Sequence, residues 1–138
     1  MAVILSTGTI NRTRSTRAAH LEILNLNFSS RTVRVQVIDW DRRVSLFNQL
    51  VTISANQNRF VTVSLAGVSF HYEIRVTVPS TRNLIVNTFA IDNDTFTVEN
   101  NNVLQEQLVR VFSPLPGVSR TIKAKSIQGV KKLPKPKK

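Results

Sequence analysis

Cysteine is absent from all 138 residues, which removes disulfides, thiolate metal sites and cysteine nucleophiles together. Redox chemistry therefore gives no hint of the compartment. Glycine is found only at Gly8, Gly67, Gly117 and Gly129, too scattered to form a phosphate-cradling loop. Histidine is limited to His20 and His71, so general acid-base chemistry has few candidates. Long apolar runs are also missing. The opening one, Ala2 to Leu5, is far too short for the central region of a signal peptide or for a membrane span. The expectation is a chain with no membrane span and no recognisable signal.

Acidic residues are missing from both ends. Residues 1–19 hold Arg12, Arg14 and Arg17 and no acid, while residues 118–138 hold Arg120, Lys123, Lys125, Lys131, Lys132, Lys135, Lys137 and Lys138 and again no acid. The stretch between them balances its basic groups with all eight acids, so the net charge of +11 resides in the arms. A basic tail of this kind attracts nucleic acid, an anionic polymer or an anionic surface by the same non-specific force. Equally, it serves as a solubilising end with too little apolar area to fold alone.

What is present suits one folded domain: 41% hydrophobic and 20% charged residues, ordinary for a globular chain. Period-two alternation dominates, the mark of strands with one buried face. It is seen at Leu24, Leu26 and Phe28 against Asn25 and Asn27, and at Val33, Val35 and Val37, closing at Trp40. Val51 with Ile53 makes a short strand, followed by Val61, Val63 and Leu65. The clearest run is Val68, Phe70, Tyr72, Ile74, Val76 and Val78 against Ser69, His71, Glu73, Arg75 and Thr77. Further strands are expected at 84–91, 95–98 and 104–112, although the mixed periodicity of 103–110 also allows one or two helical turns. Asn, Asp, Ser and Pro clusters separate them, residues whose side chains bond nearby backbone or fix its dihedrals. About eight strands at this spacing predict an all-β fold, a single antiparallel β-sandwich or jelly roll with extended arms. The expected units are a connector strand with a basic spacer at 1–19, the sandwich at 20–117 and a Lys/Pro-rich tail at 118–138.

No constellation here supports catalysis, and the expectation is a non-enzyme with no cofactor. His71 is expected on the wet face of the strongest strand and His20 at a strand start. The pairs Asp39/Asp41 and Asp92/Asp94 have the spacing of some calcium loops but lack the glycine and distal glutamate that complete them, so turn chemistry accounts for both and no metal is expected. The aromatics Phe28, Trp40, Phe60, Phe70, Tyr72, Phe89, Phe96 and Phe112 mostly fall in step with apolar neighbours and are expected in the core. Phe70 and Tyr72 lie opposite Arg75, which disfavours a sheet that stacks single-stranded bases.

The leading strand, Ala2, Val3, Ile4, Leu5, Ser6, Thr7, Gly8, Thr9 and Ile10, has two homes open to it. It completes the sheet of its own domain, or, with 11–17 as a mobile link, it adds to an open edge of a neighbouring copy and builds a head-to-tail polymer.

The short leading strand, the polar spacer and a Val/Thr/Asn-rich body with the phrases VRVQVIDW and FHYEIRVTV together resemble Firmicute spore-appendage and extracellular filament subunits, in layout across residues 1 to 112. The resemblance implies a jelly roll joined through an N-terminal connector, here 2–10. It implies a homopolymer at the cell or spore surface, outside the cell. Those subunits often lock their connectors with cysteines; this chain has none, so any joint is non-covalent. The alternative function is a nucleic-acid-associated viral coat protein with basic arms.

Overall fold

A computed structural model describes residues 2–92, 97 and 102–111. Its strands are β1 (Val3–Ser6), β2 (Ile10–Asn11), β3 (Ala18–Asn25), β4 (Arg31–Asp39), β5 (Val44–Ile53), β6 (Gln57–Ser64), β7 (His71–Val78), β8 (Leu84–Ile91) and β9 (Val109–Val111). They form two antiparallel sheets. One has the order β5-β4-β7-β1-β9, with β2 also on β7; the other has the order β6-β3-β8. This is the all-β sandwich that the alternation implies.

The core lies between the sheets. β3 contributes Ala19, Leu21 and Ile23, β4 contributes Val33, Val35 and Val37, β7 contributes Tyr72, Ile74, Val76 and Val78, and β8 contributes Leu84 and Val86. β-Branched residues dominate, matching the pleated surfaces they pack between. Fully burying one such side chain is worth about 1.5–3 kcal/mol.

Several expectations are corrected here. Leu24, Leu26 and Phe28 are not the inner face of β3. The inner set is Ala19, Leu21, Ile23 and Asn25, and Phe28 is 95% exposed. Asn25 is buried because the crossing chain needs it. Its Nδ2 donates to the carbonyls of Ser29, Ile53 and Ser54 at 3.0–3.1 Å, and its Oδ1 accepts from the Asn27 amide at 3.0 Å. Phe60 and Phe70 are likewise exposed rather than core residues. The short strand at Val51 and Ile53 is in fact ten residues long, starting at Val44.

The acid pair in the β4–β5 turn is used as expected. Asp39 Oδ1 accepts from the amides of Asp41 and Arg42, and Arg42 Nε meets Asp39 Oδ2 at 2.8 Å. Arg43 takes a positive φ to complete the turn. The segment expected as a strand over 104–112 begins instead with a 3-10 turn, Gln105–Gln107, and only then enters β9. The strand expected at 95–98 lies outside the described residues except for Thr97, which bridges to Ile91. The tail at 118–138 lies outside them entirely.

Candidate functional site

Ala2 to Ile10 runs within its own sheet. β1 lies between β7 and β9, with Val3, Ile4, Leu5 and Ser6 opposite Val78, Thr77, Val76 and Arg75, and Ile4 to Ser6 opposite Val111 to Val109. Of the two homes open to this strand, the structure has the first. The spacer is not a free link either. Arg12 Nη1 donates to the Val68 carbonyl at 2.6 Å and Nε to the Thr16 carbonyl at 2.9 Å. The Arg12 amide bonds the Phe70 carbonyl and the Arg17 amide bonds that of Ile91. Residues 2–19 are thus part of the sandwich, because backbone groups along them pair with it and Leu5 fills its core.

The face of this sheet turned away from the core holds a second anchor. Ser6, Glu73 and Arg75 share one face by register, since Ser6 stands opposite Arg75 and Glu73 is two residues earlier on the same strand. All three are buried. Glu73 Oε2 accepts from Ser6 Oγ and from Arg75 Nε, and Trp40 Nε1 donates to Oε1 at 2.8 Å. The Gly8 amide donates back to Ser6 Oγ at 2.8 Å, which the positive φ of Gly8 permits. Both carboxylate oxygens are engaged by structural donors, so the cluster works as a clasp on β1.

The histidines are engaged as well. His20 meets Thr62 Oγ1 at 2.9 Å through Nδ1 and Glu22 Oε2 at 3.4 Å through Nε2. His71 Nδ1 meets Asp41 Oδ1 at 2.7 Å, while Asp41 Oδ2 accepts from the amides of Phe70 and His71. The hydrogen bonds from His71 hold the Asp41 carboxyl below its ordinary range. Among the described residues, no group of three or more metal-ligating side chains converges.

Among the described residues, backbone groups without a strand partner lie along the sheet edges. β8 is covered: Thr88 and Val103 exchange backbone bonds at 2.8 and 2.9 Å, Asn102 Oδ1 accepts from the Ala90 amide, and Gln105 Oε1 accepts from the Val86 amide. Two side-chain amides and one backbone thus stand in for a neighbouring strand. β5 contrasts with it. Among the described residues it pairs with β4 alone, and its sequence, VSLFNQLVTI, contains no charge and no proline. Its one irregularity is near the start, where the register skips Leu46.

Which β5 groups face outward follows from register. The Trp40 amide bonds the His71 carbonyl, so even-numbered residues of β4 bond towards β7 and odd-numbered ones towards β5. Val33, Val35 and Val37 are then the hydrogen-bonded partners of Val51, Gln49 and Phe47. The N–H and C=O groups of Asn48, Leu50 and Thr52 therefore point away from β4. Arg59 of β6 confirms the direction by donating to the Thr52 carbonyl at 2.8 Å from the open side. Leu50 is 62% exposed. Sequence reasoning missed this edge because Asn48 and Gln49 interrupt its alternation, although the ten-residue run without charge was visible.

Of the residues singled out in the sequence, the structure brings Ser6 into the clasp and Leu5 into the core. The basic set Arg120, Lys123, Lys125, Lys131, Lys132, Lys135, Lys137 and Lys138 lies outside the described residues. No helix among the described residues is long and apolar enough to cross a membrane. No protein-family model matches the chain, and no curated protein does. Among solved structures, one described as the crystal structure of Thermotoga maritima 1070 is 13% identical with a TM-score of 0.46, covering 80% of this chain and 92% of that one. An Anabaena sensory rhodopsin transducer is 11% identical with a TM-score of 0.42, covering 67% and 83%. At such similarity neither bears on function.

Proposed function

We propose that this chain is a non-enzymatic structural subunit that associates with copies of itself, a building block of an extracellular filament, spore layer or surface coat. The observation that carries self-association is the β5 edge, a ten-residue strand with one strand partner among the described residues and no charged side chain of its own, although Arg59 of β6 reaches its Thr52 carbonyl. Soluble sandwiches usually blunt such an edge with lysine, proline or a cover, and β8 of this same chain is covered. The extended assembly and its placement at a surface rest on the resemblance in layout.

Donation of Ala2–Ile10 is not the route of association in this reading. Removing β1 would strip backbone bonds from both β7 and β9, empty the site of Leu5 and take Ser6 from Glu73. Edge-to-edge pairing leaves all of these in place. The carboxylates of Asp39, Asp41 and Glu73 are held by turn amides, tryptophan, serine, histidine and arginine, an arrangement that fits scaffold roles. Sedimentation velocity over a concentration series, with negative-stain images of the most concentrated sample, tests the proposal. Growth in mass with concentration is expected. A monomer at every concentration in low and moderate salt would end it.

A second reading has its own observation, the acid-free stretch 118–138 with eight basic groups. Under it the tail engages a polyanion, and the assembly is a nucleic-acid-associated coat of the viral capsid type.

A further inference from the structure

We infer that the occupant of the β5 edge is β5 of a second copy, antiparallel and centred on Leu50, so that two larger sheets join into one. This rests on the self-association reading above and specifies its contact.

The pattern of open groups is the first ground. Asn48, Leu50 and Thr52 alternate outward, and a two-fold axis through Leu50 sets Leu50 against its own equivalent and Asn48 against Thr52 of the second copy. In antiparallel pairing, opposed outward residues exchange both of their bonds. Every outward N–H then meets an outward C=O with no residue left over. The Thr52 carbonyl keeps its bond from Arg59, since a carbonyl oxygen accepts two donors.

Side chains agree with this register. On the outer face the two exposed Leu50 side chains meet, flanked on each side by an Asn48–Thr52 pair. On the inner face Gln49 faces Val51 and Phe47 faces Ile53 of the second copy. Moving the axis to Asn48 would bring Leu50 opposite Leu46, where the register is interrupted. The intact stretch Phe47–Ile53 is symmetric about Leu50, so the axis through Leu50 uses all of it.

Charge is the third ground. Two copies of a chain with net charge +11 repel each other, and the approach costs least where no charge is carried. Val44 to Ile53 has no charged side chain of its own; the two cations that reach it, Arg59 on the Thr52 carbonyl and Arg34 on Asn48 Oδ1, lie to either side of Leu50 and are each engaged by a β5 acceptor. A like-charge pair directly opposed across strands destabilises pairing, and none arises within β5 in this register.

An isologous contact of this kind closes on itself, so it produces a dimer, the unit from which a larger layer would be built through other surfaces. Its area is small, and the dimer is expected to depend on concentration.

The chain has no cysteine, so one can be placed at will. In the full chain, Leu50→Cys is compared with Ser80→Cys, an exposed position in the β7–β8 connection, under mild oxidation. Opposed residues in the proposed pair stand about 5.5 Å apart at Cα, within reach of a disulfide. At least tenfold more cross-linked dimer is expected for Leu50→Cys than for Ser80→Cys. In parallel, Leu50→Lys is compared with the unaltered chain by light scattering, and thermal unfolding verifies that this exposed substitution leaves the fold intact. Loss of the dimer in Leu50→Lys is expected. Equal cross-linking at both positions, or association undiminished by Leu50→Lys, overturns the β5 pairing while leaving self-association standing. Monomers in every sample overturn both.

Discussion

Ser6 donates its hydroxyl to Glu73 across 67 positions of sequence, tying the first strand of the chain to the centre of the larger sheet. Glu73 in turn bonds Trp40 and Arg75. One carboxylate thus joins β1, the turn after β4 and β7. Ser6→Ala is expected to cost about 1–3 kcal/mol, because a buried carboxylate loses a donor and the Gly8 amide loses its acceptor. Glu73→Ala is expected to cost more, about 3–5 kcal/mol, since it breaks a buried ion pair from one side. Urea unfolding measures both: the midpoint falls in that order while the slope with denaturant holds. Equal, near-zero effects would show that the clasp does not hold β1.

Asn25 supplies a second check. Its amide nitrogen donates to three carbonyls where the chain passes between sheets. Asn25→Asp is expected to destabilise at least as much as Asn25→Ala, about 2–3 kcal/mol, because a carboxylate oxygen would face carbonyls that require donors. If Asp is tolerated, those bonds are not what fixes Asn25 inside.

Acid should weaken the β4–β5 turn through Asp41. Its carboxyl titrates below the ordinary value of 3.8, chiefly because His71 hydrogen-bonds it. A depressed folded-state pKa means that the stabilisation is present above the unfolded value and is lost as pH falls through the folded one. The stability difference between the unaltered chain and Asp41→Asn is therefore expected to shrink as pH falls below 3.8. A difference that does not vary between pH 6 and pH 2 would contradict this.

Removing residues 118–138 takes away eight basic groups and no acid. Under the polyanion reading, filter binding to single-stranded DNA falls steeply as salt rises, with a slope of about 0.7 per phosphate neutralised. The shortened chain is expected to lose most of this affinity and its salt dependence. Binding that is unchanged by the truncation would assign the attraction to the body instead.

The fold class was legible because alternation survives wherever one face of a strand is wet. Val33, Val35 and Val37 and the run from Tyr72 to Val78 were read in their true phase. Phase failed where polar residues take buried posts. Asn25 looks like a surface residue until the carbonyls it serves are known, and reading it outward put Leu24, Leu26 and Phe28 on the wrong side. Glu73 and Arg75 were assigned to water by the same logic, although they satisfy each other with help from Ser6 and Trp40. These partners come from distant segments, so local pattern cannot supply them. The home of β1 was undecided for a related reason: its alternation is the same whether the neighbouring strand belongs to its own chain or to another. The open edge at β5 was hidden by Asn48 and Gln49, whose polarity reads as a loop when the backbone pairing to β4 is not in view.

Association through β5 is tested by amide hydrogen exchange followed residue by residue in dilute and concentrated samples. The amides of Asn48, Leu50 and Thr52 are expected to exchange quickly when dilute and to gain protection at least tenfold as concentration rises, with Val33 and Val35 unchanged. Protection at those three amides that is independent of concentration, or a gain confined to another surface, would contradict it.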